Sequence, residues 1–270
     1  MKTLIIKFGG ASVATPGHFR NVAALIRARR EYYSSIVVVV SAMSGTTEEL
    51  RRLSQEVHPE PPLRELDMLL TAGERISIAL LAMALHRIEI PAISFTGSQS
   101  GIITTGDHNS AYIVDVRPQR LIPYLKRGTL AIVAGFQGVT PDGEITSLGK
   151  GGSDTSAVAL GVALDAEVVE FYKDVSGIYR EDPKQNVKAE LLAKLNFDAA
   201  YLLMSQGAKI LHPRSVLLAS KNSLPLHVLS FYEAAEVHTM EEFNDLGTWI
   251  GEKNPDIKER VSVYESSMTQ

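Results

Sequence analysis

The chain of 270 residues contains no cysteine, which removes disulfides, thiolate zinc sites and a cysteine nucleophile from consideration together. It has no positive excess either. Its 27 Lys and Arg stand against 31 Asp and Glu, a formal net charge of −4 with a pI near 6.0, so a dedicated nucleic-acid binder with a basic stripe is not expected. Long hydrophobic runs are also scarce. The N-terminal Thr3-Leu4-Ile5-Ile6 stretch is cut by Lys7 and is too short for a signal-peptide core, and the apolar segment from Ile76 to Leu85 falls short of the ~20 residues that span a bilayer. These readings predict no membrane partner and a cytoplasmic location. The seven His residues show no metal-ligand spacing, no Ser-His-Asp set can be assigned, and no Gly-x4-Gly-Lys-Ser/Thr loop occurs. No repeat or low-complexity tract interrupts the chain.

What is present is the composition of a packed globular protein, 45% hydrophobic and 21% charged, long enough for one large α/β domain or two small ones. Apolar, β-rich runs at Thr3–Phe8 and Ser35–Ser41 flank a helical pattern from Pro16 to Arg30 that puts Phe19, Val22, Ala23 and Ile26 on one face. Strand, helix, strand predicts a parallel sheet. Helices are expected at about 47–57, 63–70, 73–87, 118–126, 154–164, 197–204 and 213–219, with Ile76, Leu80, Met83 and Ala84 forming the apolar face of the third. Strands are expected at 92–96, 130–134, 145–147, 166–172 and 226–230. The polar segment after Ile250 reads as a fraying terminus.

Two glycine loops sit where a strand gives way to a helix, the ligand-binding edge of an open parallel sheet. In Lys7-Phe8-Gly9-Gly10-Ala11-Ser12 the glycines let backbone N–H groups approach a phosphate and Lys7 adds a point charge, although a plain turn with a surface Lys has the same spacing. In Lys150-Gly151-Gly152-Ser153-Asp154 an anion nest is favoured over a linker, and Asp154 is either a positioning residue or an N-cap. Ser41–Thr47 and Thr71-Ala72-Gly73-Glu74-Arg75 could serve a polar substrate or cap helices. Tyr179, after Lys173-Asp174, stacks on a base or simply packs. Lys209 lies in an apolar segment, where an unpaired charge is costly and points to an anionic partner, unless its stem snorkels to the surface.

Taken together, Lys7-Phe8-Gly9-Gly10, Ser41-Ala42-Met43, Leu70-Thr71-Ala72-Gly73-Glu74-Arg75, Phe95-Thr96-Gly97-Ser98-Gln99, Val133-Ala134-Gly135-Phe136-Gln137-Gly138, Gly151-Gly152-Ser153-Asp154 and Lys209-Ile210-Leu211-His212-Pro213 resemble, in order, the aspartate kinases of the amino-acid kinase superfamily. The resemblance implies a three-layer α/β/α sandwich with a mainly parallel central sheet, as one catalytic domain over 1–250 followed by a tail over 251–270. Within it the acceptor-binding lobe would cover about 1–140 and the ATP-binding lobe about 141–250. It implies transfer of the ATP γ-phosphoryl group to the β-carboxylate of L-aspartate, with Mg2+ bridging the phosphates, in the biosynthesis of amino acids such as lysine and threonine.

By the same resemblance Lys7 and Lys209 stabilise the phosphoryl oxygens and Asp154 holds Lys7 and neighbouring donors in place. Gly9, Gly10, Gly151 and Gly152 offer N–H groups to the phosphates. Thr47, Glu74, Lys150 and Ser153 bind the acceptor, with Glu74 on its ammonium, and Lys173, Asp174, Tyr179 and Lys184 bind the nucleotide. No metal ligand from the protein is expected. Three residues depart from the family pattern: Ala11 stands for Thr or Ser, Lys150 for the Arg of Arg-Gly-Gly-Ser-Asp, and Lys184 for a common Arg. Lys150 turns a bidentate grip on a carboxylate into a point-charge contact, which admits another small amino or carboxylic acid as acceptor. The family commonly continues into ACT regulatory domains, and the expectation here is a chain without them. That leaves a homodimer, a separate regulatory subunit and a non-catalytic nucleotide-binding role open.

Overall fold

Apolar runs with no polar alternation belong in a sheet covered on both faces. In the computed structural model, which describes residues 2–181, 183, 186, 188–237 and 239–251, β1 (Thr3–Phe8) and β2 (Ser35–Val40) are buried along their whole length at the centre of such a sheet. Its eight strands run β10-β12-β11-β9-β1-β2-β6-β3, with β3 at Ala92–Phe95, β6 at Leu130–Ala134, β9 at Val168–Lys173, β10 at Lys194–Leu195, β11 at Leu226–Ser230 and β12 at Thr248–Ile250. Only the β11/β12 pair is antiparallel.

Period-2 alternation divides the strand side chains between two cores. Leu4, Ile6 and Phe8 pack with Phe19, Val22 and Ile26 of α1 (Pro16–Arg29) and with Ile78, Leu81 and Leu85 of α4 (Ala72–Arg87). Ile5, Val37 and Val39 pack on the other face with Ala157, Val158 and Leu160 of α7 (Gly152–Ala163). Val216 and Ala219 of α9 (Pro213–Lys221) and Leu125 of α6 (Ile122–Lys126) join that second core. Helix, sheet and helix form the expected three layers. The remaining helices are α2 (Thr46–Val57), α3 (Leu63–Leu70), α5 (Gly97–Ser100), α8 (Phe197–Ser205) and α10 (Met240–Asp245).

A second sheet was not anticipated. It has four strands in the order β5-β4-β7-β8, with β4 at Ile102–Thr104, β5 at Ile113–Val116, β7 at Gln137–Val139 and β8 at Ile145–Ser147. Strands of three or four residues are too short to display a period.

Other expectations shift. In α4 the buried face is Glu74, Ser77, Ile78, Leu81 and Leu85, whereas Ile76 and Met83 are exposed and Leu80 and Ala84 only partly buried. The helix is apolar nearly all round, so hydrophobicity could not choose its inner side. Together α3 and α4 form a 25-residue helical stretch, Leu63–Arg87, long and apolar enough to cross a bilayer by length and composition. Here it lines the core, with the carboxylates Asp67 and Glu74 on its buried side. The helix expected over 118–126 is a 3-10 turn at Pro118–Arg120 followed by α6, because Pro123 has no N–H to continue a helix begun earlier and can only sit in a first turn. The expected fraying segment, residues 252–270, lies outside the described residues.

Candidate active site

From β1 the chain proceeds to β2 on one side, and β9 opens the other side of β1. The strand order therefore reverses between β1 and β9, and a crevice at the carboxyl ends of those two strands is where open α/β sheets bind ligands. Lys7 and Lys173 stand at those two ends. Alternation puts Lys7 on the face of Ile5, and Lys173 on the face of Val169 and Phe171, so both reach toward α7. Its first turn brings in Asp154.

Lys7 is 5% exposed and Asp154 6%. Lys7 Nζ lies 2.6 Å from Asp154 Oδ1, and Lys173 Nζ lies 3.3 Å from Oδ2 and 3.5 Å from Oδ1. Burial alone would raise the Asp154 carboxyl, but the Lys173 and Lys7 ammonium groups overcome it and hold the carboxyl down at about 2. Burial brings the Lys173 ammonium down to about 8, with Lys7 acting in the same direction and Asp154 opposing it. Asp154 is not an N-cap: α7 begins at Gly152, and Gly151 occupies the cap without a side-chain hydrogen bond.

The glycine loops carry the backbone close to this cluster. Gly9 caps a 3-10 turn, Gly10–Val13, and a Cβ built on Gly9 would lie 3.8 Å from Lys7 Nζ. A Cβ on Gly10 would come within 3.0 Å of the Ala42 carbonyl oxygen, so the loop after β2 leaves no room for a side chain there. Gly151 has φ +75°, a left-handed conformation that favours glycine, and the His212 ring occupies the position of its missing Cβ at 2.3–2.4 Å. That contact seats the loop entering α9 directly on the turn entering α7. Ser153 packs beneath Gly135, where a Cβ would meet Ser153 Cβ at 2.8 Å.

Glu74, in the first turn of α4, is 3% exposed. Its Oε1 accepts a hydrogen bond from the Ala42 N–H at 3.0 Å, while Oε2 is buried with no partner among the described residues. Burial raises this carboxyl to about 7, against the Ala42 N–H and the charge of Lys7. A buried carboxylate oxygen without a donor calls for one from a ligand.

Two further polar links brace the site. Asp67 of α3, fully buried, accepts from Ser147 Oγ at 2.5 Å, from the Asn109 N–H at 3.1 Å and from His108 Nδ1 at 2.8 Å. Gln137 Nε2 donates to the Thr71 carbonyl at 3.0 Å. A Cβ on Gly149 would lie 2.9 Å from the Asn109 carbonyl oxygen. The start of α4, with Glu74, and the loop carrying Lys150 are thereby joined through the second sheet.

The expected residues are not all gathered. Lys7, Gly9, Gly10, Glu74, Gly151, Gly152, Ser153, Asp154 and Lys173 line the carboxyl edge, and Thr47 is half-buried near the start of α2. Lys150 and Asp174 are exposed. Tyr179 is half-buried, its backbone bridging Leu191. Lys209 is exposed between α8 and α9 with no ion pair among the described residues, so the burial argument for an anion there does not hold. Lys184 lies outside the described residues. Sequence reasoning missed Asp67 and His108 and placed Lys173 only with the nucleotide. The alternation of Val169, Phe171 and Lys173 was the available signal for the last.

Comparison with known proteins identifies the family and the fold. The sequence model described as the amino acid kinase family matches residues 2–230. The aspartokinase of Corynebacterium glutamicum is 47% identical over 270 residues, all of this chain and 62% of that protein. The crystal structure of aspartate kinase from Synechocystis superposes with a TM-score of 0.78 at 44% identity, covering 92% of this chain and 40% of the other. The E. coli aspartokinase III structure in complex with aspartate and ADP gives 0.81 at 24% identity, covering 94% of this chain and 66% of that one. The chain thus spans less than two thirds of the length of these relatives.

Proposed function

The chain belongs to the amino acid kinase family, and from that premise we propose that it transfers the γ-phosphoryl group of ATP to the β-carboxylate of L-aspartate, giving 4-phospho-L-aspartate. The observation that carries the acceptor is Glu74, whose buried, unpartnered Oε2 suits an α-ammonium beside the Lys7–Asp154 pair. Similarity to aspartokinases along the whole chain, and a family structure holding aspartate and ADP, support the same reading.

A carboxylate acceptor is already ionised at neutral pH, so no general base is required. The work left to the protein is positioning and neutralisation of charge on the moving phosphoryl group. Lys7 supplies a cation at the carboxyl end of β1, and Asp154, ionised down to about pH 2, fixes that ammonium in place. Gly10, Gly151 and Gly152 hold backbone where a side chain would be crowded, and Gly9 brings backbone beside Lys7, which suits a polyphosphate lying against N–H groups. Thr47, Lys150 and Ser153 complete the acceptor side. Asp174 and Tyr179 are proposed for the nucleotide, and Lys209, on the loop that His212 seats against Gly151, for the phosphates.

Mg2+ is usually bound through one or two carboxylates together with substrate phosphates rather than in an all-protein cage, so it would enter this site with ATP. When bound it would neutralise phosphate charge. Lys7 and Lys209 would supply positive charge to the phosphoryl oxygens alongside it.

The reading is tested by ATP-dependent acyl-phosphate formation with hydroxylamine trapping, comparing L-aspartate with glutamate and other small acids. Aspartyl hydroxamate in clear excess is the expected result. Preference for another acid would assign the pocket to that acceptor, with Lys150 as the reason, and nucleotide binding without any product would leave a non-catalytic subunit.

A further inference from the structure

Periodicity gives α4 a second apolar face that the fold leaves outside. Ile76, 49% exposed, and Met83, 66% exposed, stand on the side of the helix opposite Glu74, Ile78, Leu81 and Leu85. Followed along the 25-residue helical stretch Leu63–Arg87, that side carries Glu65, Ala72, Ile76, Ala79 and Met83, all within about 30° of one line at ~100° per residue. None of the four apolar members belongs to either core. An apolar stripe of this length outside the core marks an interaction surface, and its steps of four, three and four residues are those of a seam between two helices. We propose that α4 pairs antiparallel with the α4 of a second copy of this chain, about a two-fold axis level with the midpoint of Ile76 and Ala79.

Side-chain size selects a copy as the occupant. Along the stripe small and large residues alternate, Ala72, Ile76, Ala79, Met83. About that axis Ile76 meets the partner's Ala79 and Met83 meets the partner's Ala72, so every large side chain faces a small one. A parallel pair in register would set large against large and leave gaps at the alanines. The row is complementary to itself only when one copy is reversed, which a two-fold axis achieves.

Charge at the two ends of the stripe agrees. At the N-terminal end Arg64 is shared by Glu65 and by Glu144 of the second sheet, which leaves one negative charge. At the other end Arg87 is exposed with no ion pair among the described residues, and Glu89 follows the helix in a left-handed turn at φ +61°. Antiparallel pairing sets Arg87 level with the partner's Met68, ~4.5 Å along the axis from the partner's Glu65, and does so twice. Arg75, the charge nearest the axis, lies about 70° off the stripe and keeps its Nε buried.

From Glu65 to Arg87 the stripe runs ~33 Å, and a helix presents ~10 Å of width. Leu53 and Val57 of α2, both exposed, share a groove with Glu65 beside its first half. That is the small end of specific interfaces, so a Kd of ~1–100 μM is expected. A bilayer is a poor occupant, because Glu65 lies on the stripe and Arg64 and Arg87 close its ends. Glu74 faces away from the stripe, so each copy keeps its own crevice.

The experiment is sedimentation of the 270-residue chain from ~1 to ~500 μM, a range that brackets the expected Kd. A monomer–dimer equilibrium is expected. Ala79→Glu buries an unpaired charge at the centre and should weaken it ~100-fold or more, and Ile76→Ser should weaken it ~10-fold. Glu65→Arg and Arg87→Glu should each weaken it ~3-fold or more, and the two together should return Kd to within ~3-fold of wild type. Melts at low protein concentration should match wild type, since these positions lie outside both cores; should Ala79→Glu fail to fold, Ile76→Ser and the charge exchange carry the test. A chain that stays monomeric throughout, a dimer whose Kd moves less than ~3-fold in the folded Ala79 and Ile76 variants, or a charge exchange that fails to restore pairing overturns the proposal. None of these outcomes bears on the kinase reading, which the hydroxamate assay decides.

Discussion

Replacing Glu74 by Gln tests whether the buried oxygen proposed to bind substrate also costs stability. In the folded protein burial moves this carboxyl from 4.5 to about 7, a displacement worth ~3 kcal/mol against the charged form. The folded value is raised, so between pH 4.5 and 7 the unfolded chain has released a proton that the folded chain still holds. Stability then falls as pH rises through that window and stays lower above it. Gln removes this titration. It also buries an amide N–H where Oε2 has no partner, a constant cost of ~1–3 kcal/mol. The pH dependence is therefore the informative quantity: relative to wild type, the variant should gain ~2 to 3 kcal/mol between pH 5 and pH 8, read from urea unfolding at each pH. Every other titrating group is common to both proteins and cancels in the difference. Activity should move the opposite way. Only ionised Glu74 pairs with an ammonium, so wild-type kcat/KM for aspartate should drop ~10-fold from pH 8 to pH 6, and the variant should lose ~100-fold at pH 8 and show no such limb. A stability difference that does not change with pH, or an acid limb that survives in the variant, would refute the reasoning.

Asp154→Asn should abolish turnover, by ~1,000-fold or more, and cost ~3 kcal/mol in unfolding experiments because two buried ammonium groups lose their counter-charge. In the wild type the Asp154 contribution is fully present above pH 3.8 and is lost as pH falls from there through about 2, which acid titration of the folded state would follow. Lys150→Arg should lower KM for aspartate ~3- to 10-fold with kcat within about 2-fold, since a planar fork grips a carboxylate better than a point charge; a raised KM would indicate a pocket shaped for another acid. Asp67→Asn should raise KM for aspartate ~10-fold while KM for ATP stays within about 2-fold, because the links from Asp67 run to the acceptor side; equal effects on both substrates would show that the cluster only supports the fold.

The central layer was legible because β1, β2, β6 and β9 are covered on both faces and so read as dense apolar runs, broken only by a few polar residues such as Lys7 and Glu170. The glycine loops were legible for the same topological reason: they fall where strands end. Less could be read where one sequence serves two environments. The expected Ile76–Met83 face of α4 is as apolar as the face that is buried, and the buried face carries Glu74 and Ser77, polar residues that a hydrophobic pattern assigns to solvent. Asp67 was invisible on the same grounds, since a carboxylate on a short helix between two prolines and a threonine gives no hint that Ser147, Asn109 and His108 will meet it from 40 to 80 residues away. The partnership of Lys173 with Asp154 depends on which strand lies beside β1, a fact of long-range topology that no local window contains.

Alternation along β9 explains how the two lysine-bearing strand ends are held in register. Lys173 faces α7, while Glu170 and Tyr172 face α1 in the opposite core. There Glu170 receives Arg29 through Nη2 at 2.5 Å and Nε at 3.2 Å, and Tyr172 Oη donates to it at 3.0 Å. Tyr172 also stacks on Phe8 with centroids 4.9 Å apart, so the last two residues before the Gly9–Gly10 turn and the last two of β9 are joined across the strand pair. Burial pushes the Glu170 carboxyl up and the Arg29 guanidinium opposes that shift, which means the network retains its charge only while both partners stay in place. Breaking it with Arg29→Met would leave Glu170 buried without its cation, at a cost of ~3–5 kcal/mol. Because the network sits one layer away from the crevice, the loss would reach the lysines only by loosening the β1/β9 register. A partial fall in kcat together with a large fall in stability is the pattern that distinguishes such a brace from the cations it supports.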